Sequence, residues 1–343
     1  MKNSVLSGLV LAVVLAFMVG GAASGQTTPF RASVLADNLE RPWGIDFLPG
    51  GDALLTERDT GRLLRVTPEG KMETVQVIPE QGEGEGGLLG LAVSPGYATD
   101  GLVYAYVTGA TDNRVVRFRL GGAPQPVLTG IPKGRTHNGG RIAFGPDGKL
   151  YVGTGDAGDT GLSQNRRSLG GKVLRVNPGG TVPADNPFGN AVWSYGHRNV
   201  QGLAWDARGR MYATELGQNA FDEVNRIAKG KNYGWPRVEG KSKNRRFKNP
   251  VAVFSPETAS PSGAAIYRGD AIPGWNGDLL FAALRGERLW KLDRRADGTI
   301  RSRTAFLTGT YGRLRAVEQA PDGSVWLLTT NGSNDKVVRL ASG

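Results

Sequence analysis

The sequence predicts an all-β fold, a six-bladed β-propeller built from four-stranded antiparallel blades. Three observations predict it. A hairpin unit led by glycine or arginine recurs six times, its copies start about 45 to 60 residues apart, and no 12-residue amphipathic helix interrupts them.

The 52 glycines are therefore a repeat signal and not a low-complexity tract. The six units are WGIDFLPGGDALLTE from Trp43, GLAVSPGYATDGLVYAYV from Gly90, GRIAFGPDGKLYVGTG from Gly140, GLAWDARGRMYATE from Gly202, GAAIYRGDAIPGWNGDLLFAAL from Gly263 and RAVEQAPDGSVWLLTT from Arg315. In each, alternating apolar residues run into a tight turn, usually of Pro, Asp, Asn and Gly, and resume as a second apolar strand. Alternation is the period-two pattern of a strand, and glycine supplies the positive φ such turns need. Most units are followed by a further strand ending in a basic or polar residue: GRLLRV from Gly61, NRVVRFRL from Asn113, GKVLRVN from Gly171, DEVNRI from Asp222, RLWKLD from Arg288 and KVVRL from Lys336. Near the N-terminus, RASVLADNL from Arg31 is expected to close the ring against the last blade, removing edges a sheet must otherwise protect. A right-handed β-helix or two separate sandwiches would show shorter repeats or lack this regular turn. In a propeller, residues that act together lie far apart in sequence and meet where loops converge at one end of the central channel.

The first residues, MKNSVLSGLVLAVVLAFMVGGAASGQ, place one lysine before an apolar run from Val5 to Val19 and then a cluster of small residues. That is the pattern of a secretory signal peptide. The run is about 15 residues, short of the roughly 20 that cross a bilayer, and an uncleaved anchor is the alternative. Residues 1–25 are thus expected to be removed, leaving 26–343 as one propeller domain in a periplasmic or secreted location. The chain has no cysteine, which excludes disulfides, thiolate chemistry and a cysteine-linked lipid anchor. Its 42 Lys and Arg against 31 Asp and Glu give a net charge of +11, an excess that suits an acidic surface or a small anionic ligand. The basic residues are spread along the chain without interleaved aromatics, apart from the local run Lys241-Ser-Lys-Asn-Arg-Arg246, so nucleic acid is not expected as a partner.

Only two histidines are present. His137, in GRTHNGGRIAF, precedes the innermost strand of the third unit, where a loop would project over the channel. Histidine is the side chain best suited to accept a proton near neutral pH, although a lone loop histidine also serves as a surface or packing residue. Asp156, in YVGTGDAGD, ends the strand that pairs with that one, and a hairpin could set its carboxylate against the imidazole to fix the tautomer and raise the basicity. His197, in WSYGHRNVQGLAW, reads as structural. Its neighbours Arg198 and Asn199 look more functional, because Arg offers a planar fork for carboxylates and Asn both a donor and an acceptor. The segment TELGQNAFDEVNRIAKGKNYGWPRVEG joins glycines, acidic side chains and backbone carbonyls in one loop. Such oxygen-rich loops suit calcium, though the spacing is not that of an EF-hand and acidic loops are often merely solvated. Arg285, in FAALRGERLW, and the pair Arg313 and Arg315, in TYGRLRAVEQ, complete the set. Residues i and i+2 of a strand share a face, and two guanidiniums there repel each other unless an anion lies between them; ordinary surface arginines are the alternative. A polyanionic planar cofactor beside a divalent ion and a general base fits this inventory.

GEGGLLGLAVSP, HNGGRIAFGPDGKLYVGTGD, YGHRNVQGLAW, TELGQN, FDEVNRI and NYGWP together resemble the soluble glucose and aldose sugar dehydrogenases that use pyrroloquinoline quinone (PQQ). The resemblance runs from about Leu35 to Leu340, and HRNxQG followed by DEVN and NYGWP is more specific than any single motif. It implies oxidation of aldose sugars to lactones with PQQ and calcium as cofactors. Carried over by position, it makes His137 the general base, oriented by Asp156, and sets Arg198, Asn199, Arg285, Arg313 and Arg315 around PQQ. It implies the carbonyls of Gly217 and Gln218 as ligands of the calcium at the quinone. Glu223 and the carbonyl of Tyr233 resemble a second, structural calcium site. An external dye, quinone or cytochrome is implied as electron acceptor, and the protein is expected to be a monomer or homodimer.

Two departures stand out. Where the family commonly has Gln beside GGLLG, a position at the cofactor, this chain has Glu85. A carboxylate facing an anionic cofactor is repelled unless protonated or paired, so Glu85 weakens PQQ binding, adds a second base, or turns away. The chain also lacks the long insertion between the fifth-unit loops that supplies substrate-contacting aromatics in the glucose enzymes, which implies breadth towards aldoses. Two rivals share the propeller: a calcium-dependent lactonase or esterase, which needs carboxylates around a channel metal, and a non-enzymatic carbohydrate-binding module, which needs exposed aromatic platforms.

Overall fold

The computed structural model describes residues 29–343, so the expected signal peptide lies outside the described residues. The chain enters on β1 (Phe30–Leu39). Blade one holds β2 (Pro42–Phe47), β3 (Ala53–Glu57), β4 (Arg62–Val66) and β5 (Met72–Val77); blade two holds β6 (Leu88–Val93), β7 (Leu102–Thr108), β8 (Asn113–Arg119) and β9 (Gln125–Ile131). Blade three holds β10 (Arg141–Phe144), β11 (Leu150–Gly153), β12 (Lys172–Val176) and β13 (Val192–Tyr195); blade four holds β14 (Val200–Trp205), β15 (Met211–Glu215), β16 (Asp222–Ile227) and β17 (Ala252–Phe254). Blade five holds β18 (Pro261–Ile266), β19 (Leu279–Ala283), β20 (Arg288–Arg294) and β21 (Ile300–Phe306). Blade six is β22 (Leu314–Gln319), β23 (Val325–Thr329) and β24 (Asp335–Ser342), and β1 returns to complete it, pairing Phe30 with Ser342 and Val34 with Val338. This is a six-bladed propeller of four-stranded antiparallel blades, closed by the N-terminal strand. The helices among the described residues are two single turns, Tyr97–Asp100 and Gly161–Gln164, and none is long and apolar enough to cross a membrane.

Each repeat unit of the sequence is the inner hairpin of a blade, and hydrophobic patterning explains why. The second strands lie between neighbouring blades, so β3, β15, β19 and β23 are buried at every residue. Of the outermost strands, β5 (METVQV) and β21 (IRSRTAF) are largely exposed and carry polar residues, whereas β13 and β17 stay half-buried. The apolar side chains collect into six clusters, one at each blade–blade interface around the ring. Two of these need β1: Phe30 meets Trp275 edge-on at 5.3 Å between blades five and six, and Leu39 packs with Ile45 and Trp326 between blades six and one. Each such side chain contributes about 1.5–3 kcal/mol by leaving water, so closure is hydrophobic as well as hydrogen-bonded.

The inner strands start at one rim of the channel, and this rim positions the site. Strands β2, β6, β14, β18 and β22 each lose register there by a bulge, between Leu88 and Leu91 in β6 and between Leu314 and Ala316 in β22. A bulge re-aims the side chain it carries, and Arg315 sits on one. The glycine of the repeat belongs to this crowded stretch: a Cβ on Gly90 would fall 2.1 Å from the carbonyl oxygen of Gly140 in the next blade. Glu85, His137, Arg198 and Asn199 precede inner strands, while Asp156, Gly217 and Arg285 follow second strands. Antiparallel pairing brings both sets to the same rim.

Candidate active site

His137 and Asp156 meet as the sequence predicts. Imidazole Nδ1 lies 2.7 Å from Asp156 Oδ1, with Asp156 fully buried and the imidazole 19% exposed. The His137 backbone is left-handed (φ 58°), a conformation costly for a non-glycine residue and characteristic of functional sites. Two hydrogen bonds hold it: the His137 N–H donates to Glu85 Oε2 at 2.7 Å, and the Ala157 N–H donates to the His137 carbonyl at 3.1 Å. Burial alone would raise the Asp156 pKa, but hydrogen bonds from His137, the Gly158 N–H and the Trp235 indole hold it below the usual carboxylate range. An anionic acceptor at Nδ1 keeps the proton on that nitrogen. Nε2, without a partner among the described residues, retains its lone pair for a substrate proton.

The cationic half of the rim is built from blades four and six. Arg315 Nη1 donates to Gln201 Oε1 at 3.0 Å and to Ser262 Oγ at 3.3 Å, which leaves its Nε buried without a partner. Asn199 Oδ1 accepts from the Gly139 N–H and from Gln201 Nε2, which leaves its own Nδ2 unpaired; Arg198 Nε is unpaired as well. Three buried donors without acceptors among the described residues mark a place for an acceptor-rich group, because each costs about 1–3 kcal/mol unsatisfied. Charge points the same way. Burial, then the guanidiniums of Arg58, Arg141 and Arg313, push the Arg315 pKa down to about 9, with Glu85 partly offsetting them. An anion beside Arg315 would relieve that repulsion. The side chains of Arg285 and Arg313 are exposed at this rim, and neither makes a hydrogen bond or ion pair among the described residues.

The oxygen-rich loop has a device that the sequence does not reveal. Glu239 Oε1 accepts the backbone N–H groups of Gln218, Asn219, Ala220 and Phe221 at 2.7–3.1 Å, while Asp222 Oδ1 accepts that of Gly217 at 2.9 Å. With every N–H of the turn directed at a carboxylate, the carbonyls of Gly217 and Gln218 are left without hydrogen bonds among the described residues. Only glycine fits at 217, where a Cβ would lie 1.9 Å from the Phe221 carbonyl oxygen and 2.6 Å from Glu239 Oε1. Nearby, Glu223 accepts from Asn225 Nδ2 and the Gly240 N–H, and Asn225 Oδ1 is buried without a partner. Burial and the adjacent Glu215 carboxylate hold the Glu223 pKa well above its ordinary value. The buried carboxylates of Glu215 and Glu223, the Asn225 amide oxygen and the Tyr233 carbonyl, the last two without hydrogen-bond donors among the described residues, are a donor set that suits a hard cation such as calcium. Among the described residues no three His, Cys, Asp or Glu side chains form a metal cluster, so carbonyl and amide oxygens would have to supply most of the ligands.

His197 takes the structural role expected of it. It is fully buried, with Nδ1 2.8 Å from Glu215 Oε2, Nε2 2.8 Å from Ser194 Oγ, and its ring stacked on Tyr233 at 4.6 Å. Glu215 also accepts the Arg198 N–H, so this buried pair sets the turn that presents Arg198 and Asn199. Arg58, Gln201, Trp235 and Glu239 join the site without having been expected. Trp235 and Gln201 lay within recognised motifs, but only the fold shows what they touch.

Comparison with known proteins agrees with this architecture. A family model described as Glucose / Sorbosone dehydrogenase matches residues 39–339. The structure of a PQQ-bound aldose sugar dehydrogenase from Streptomyces coelicolor is 48% identical and superposes with a TM-score of 0.84, covering 91% of this chain and 98% of that one. Quinoprotein glucose dehydrogenase B of Acinetobacter calcoaceticus is 30% identical over 91% of this chain and 88% of its own length. Aldose sugar dehydrogenase YliI of Escherichia coli is 28% identical over 89% and 91%, respectively.

Proposed function

The chain belongs to the glucose / sorbosone dehydrogenase family, and from that premise we propose that it is an oxidoreductase that oxidises aldose sugars to lactones with PQQ and calcium. One observation carries the reading: unpaired donors on Arg198, Asn199 and Arg315 share a rim with the His137–Asp156 pair. When bound, PQQ would supply the acceptor of the hydride and calcium a Lewis acid beside it. Arg198, Asn199 and Arg315, with Arg285 and Arg313 at the edge, would hold the anionic cofactor. Glu239 would keep the carbonyls of Gly217 and Gln218 turned towards the first calcium, and Glu223, Asn225 and the Tyr233 carbonyl would hold the second.

The protein's own chemistry is proton removal. His137 Nε2 takes the proton of the anomeric hydroxyl as hydride leaves the sugar carbon, and Asp156 stabilises the imidazolium that forms. General-base catalysis of this kind contributes about 10²–10⁴-fold. Glu85 is committed to the His137 N–H and stands as a second anion near the base rather than as a cofactor ligand. An external acceptor then restores the oxidised state. Residues 26–343 would act as one catalytic domain, monomeric or dimeric, in the periplasm or medium after loss of residues 1–25.

The test uses purified apoprotein reconstituted with PQQ and calcium, with reduction of a dye followed as aldoses are added. Reduction should require all three components. Failure with every aldose would overturn the proposal, and lactone hydrolysis without PQQ would establish the lactonase rival instead.

A further inference from the structure

The turnover proposed above ends with two electrons and two protons still to leave the site, and the structure assigns a place for the acceptor. We propose that the basic arm Arg237–Lys248 is a docking surface for an acidic, one-electron redox protein. The arm holds Arg237, Lys241, Lys243, Arg245, Arg246 and Lys248, and five of these six residues are exposed, with Lys248 half-buried. No side chain of the six makes a hydrogen bond or an ion pair among the described residues, although sixteen ion pairs occur elsewhere. A surface kept charged only for solubility mixes both signs. Here the single acid, Glu239, turns its carboxylate inward onto four backbone N–H groups.

Position supplies the second argument. The arm continues directly from the residues that build the site: Trp235 donates to Asp156, Glu239 orders the carbonyl loop, and the Gly240 N–H binds Glu223. Its far end folds back, with the Lys248 N–H donating to the Asn232 carbonyl at 2.7 Å. Asn232 in turn pairs with Gln164, whose amide also donates to the Trp235 carbonyl at 2.6 Å. Gln164 leads into exposed Arg166 and Arg167, so eight cations flank one side of the rim. A cationic surface beside the electron exit steers an anionic partner, raising association rates about 10–10³-fold at low salt, over a range near 10 Å at 0.1 M. Two partner molecules each take one electron, and the two protons pass to solvent.

This inference rests on the dehydrogenase reading, and its test separates the two. Holoenzyme and a Lys241→Gln, Lys243→Gln, Arg245→Gln, Arg246→Gln variant are compared with an acidic cytochrome, a basic cytochrome, ferricyanide and a neutral dye as acceptors. Binding of the acidic cytochrome to the apoprotein is measured in parallel by calorimetry. The expected result is a rate constant for the acidic cytochrome that falls at least tenfold in the variant and loses its salt dependence, with weakened binding. Sugar KM and turnover with the neutral dye should stay unchanged, and the basic cytochrome should be a poor acceptor for both proteins. An unchanged acidic-cytochrome rate overturns the docking surface, as does an equal loss with every acceptor. A charge effect seen with ferricyanide alone assigns the arm to small anions and overturns a protein partner. Binding to phosphatidylglycerol vesicles, with salt-independent cytochrome reduction, overturns it in favour of a membrane. Absence of sugar oxidation with every acceptor defeats the dehydrogenase reading, whereas acidic-cytochrome binding lost in the variant would still be read by calorimetry.

Discussion

The Trp235 indole N–H donates to Asp156 Oδ2 at 2.8 Å, opposite the Oδ1 that faces His137 Nδ1 at 2.7 Å. One carboxylate thus ties His137, at the head of blade three, to the loop between β16 and β17 of blade four. The Arg198 guanidinium lies over the same indole, 5.4 Å from its centre, so Trp235 links the His137–Asp156 pair to the cationic half of the rim.

Trp235→Phe removes this N–H and keeps an aromatic ring. Freed of one donor, the carboxylate concentrates charge on Oδ1, so its hydrogen bond with the His137 Nδ1 proton should change. Turnover should fall about tenfold, equivalent to about 1.4 kcal/mol of barrier, with sugar KM little changed. Proton NMR of the ring N–H resonances reads this directly, because only two histidines are present and the buried His197 serves as the control. A His137 Nδ1–H resonance identical to wild type would show that the indole merely fills space.

Glu85→Gln tests charge alone, since the amide oxygen can still accept the His137 N–H. The removed carboxylate lies close enough to act on Arg315 and has the same sign as the proposed cofactor. PQQ should bind about two- to fivefold more tightly, as expected for one exposed charge. Equilibrium titration of the apoprotein with PQQ decides; weaker binding would mean that Glu85 contacts the cofactor favourably.

Much of this was legible beforehand, for identifiable reasons. Blade number followed from local alternation and turn chemistry, which are written within each hairpin. His137 with Asp156 was legible because antiparallel β10 and β11 bring a residue before the first strand to one after the second. Arg58, Gln201, Trp235 and Glu239 were not, because their roles depend on which blade lies beside which loop. Nothing local in RVEG shows that Glu239 will meet four amides about twenty residues upstream. Glu85 was legible as a departure, but its partner, a backbone N–H 52 residues away, was set by packing of blade two on blade three.

Acid stability offers a third test. The folded pKa of Asp156 is depressed, so its stabilising effect is complete above the unfolded carboxylate value near 3.8 and is lost as pH falls through the lower folded value. Asp156→Asn should therefore destabilise the protein at pH 7, by about 1–3 kcal/mol for a buried charge-assisted network. Its stability should approach wild type only as the pH falls below 3.8 and through the lower folded value. Urea unfolding at pH 7, 4 and 2 gives the comparison, and a difference constant over that range would exclude the carboxylate's ionisation as its source.

Glu239→Ala addresses the carbonyl loop. Its carboxylate is the common acceptor of four N–H groups, and without it these donors turn towards solvent while the peptide planes of residues 217–221 rotate. Rotation takes the Gly217 and Gln218 carbonyls with it, because N–H and C=O share rigid planes. Calcium affinity of the apoprotein, measured by calorimetry, should drop more than tenfold at the first of the two proposed sites, the one at the Gly217 and Gln218 carbonyls. Glu223→Gln, acting through the other donor set, should weaken the remaining one. The His137 Nδ1–H resonance should be unchanged in Glu239→Ala, since Trp235 and Asp156 stay in place. Loss of calcium binding together with a disturbed His137 would instead show that the whole loop, Trp235 included, depends on Glu239 for its position.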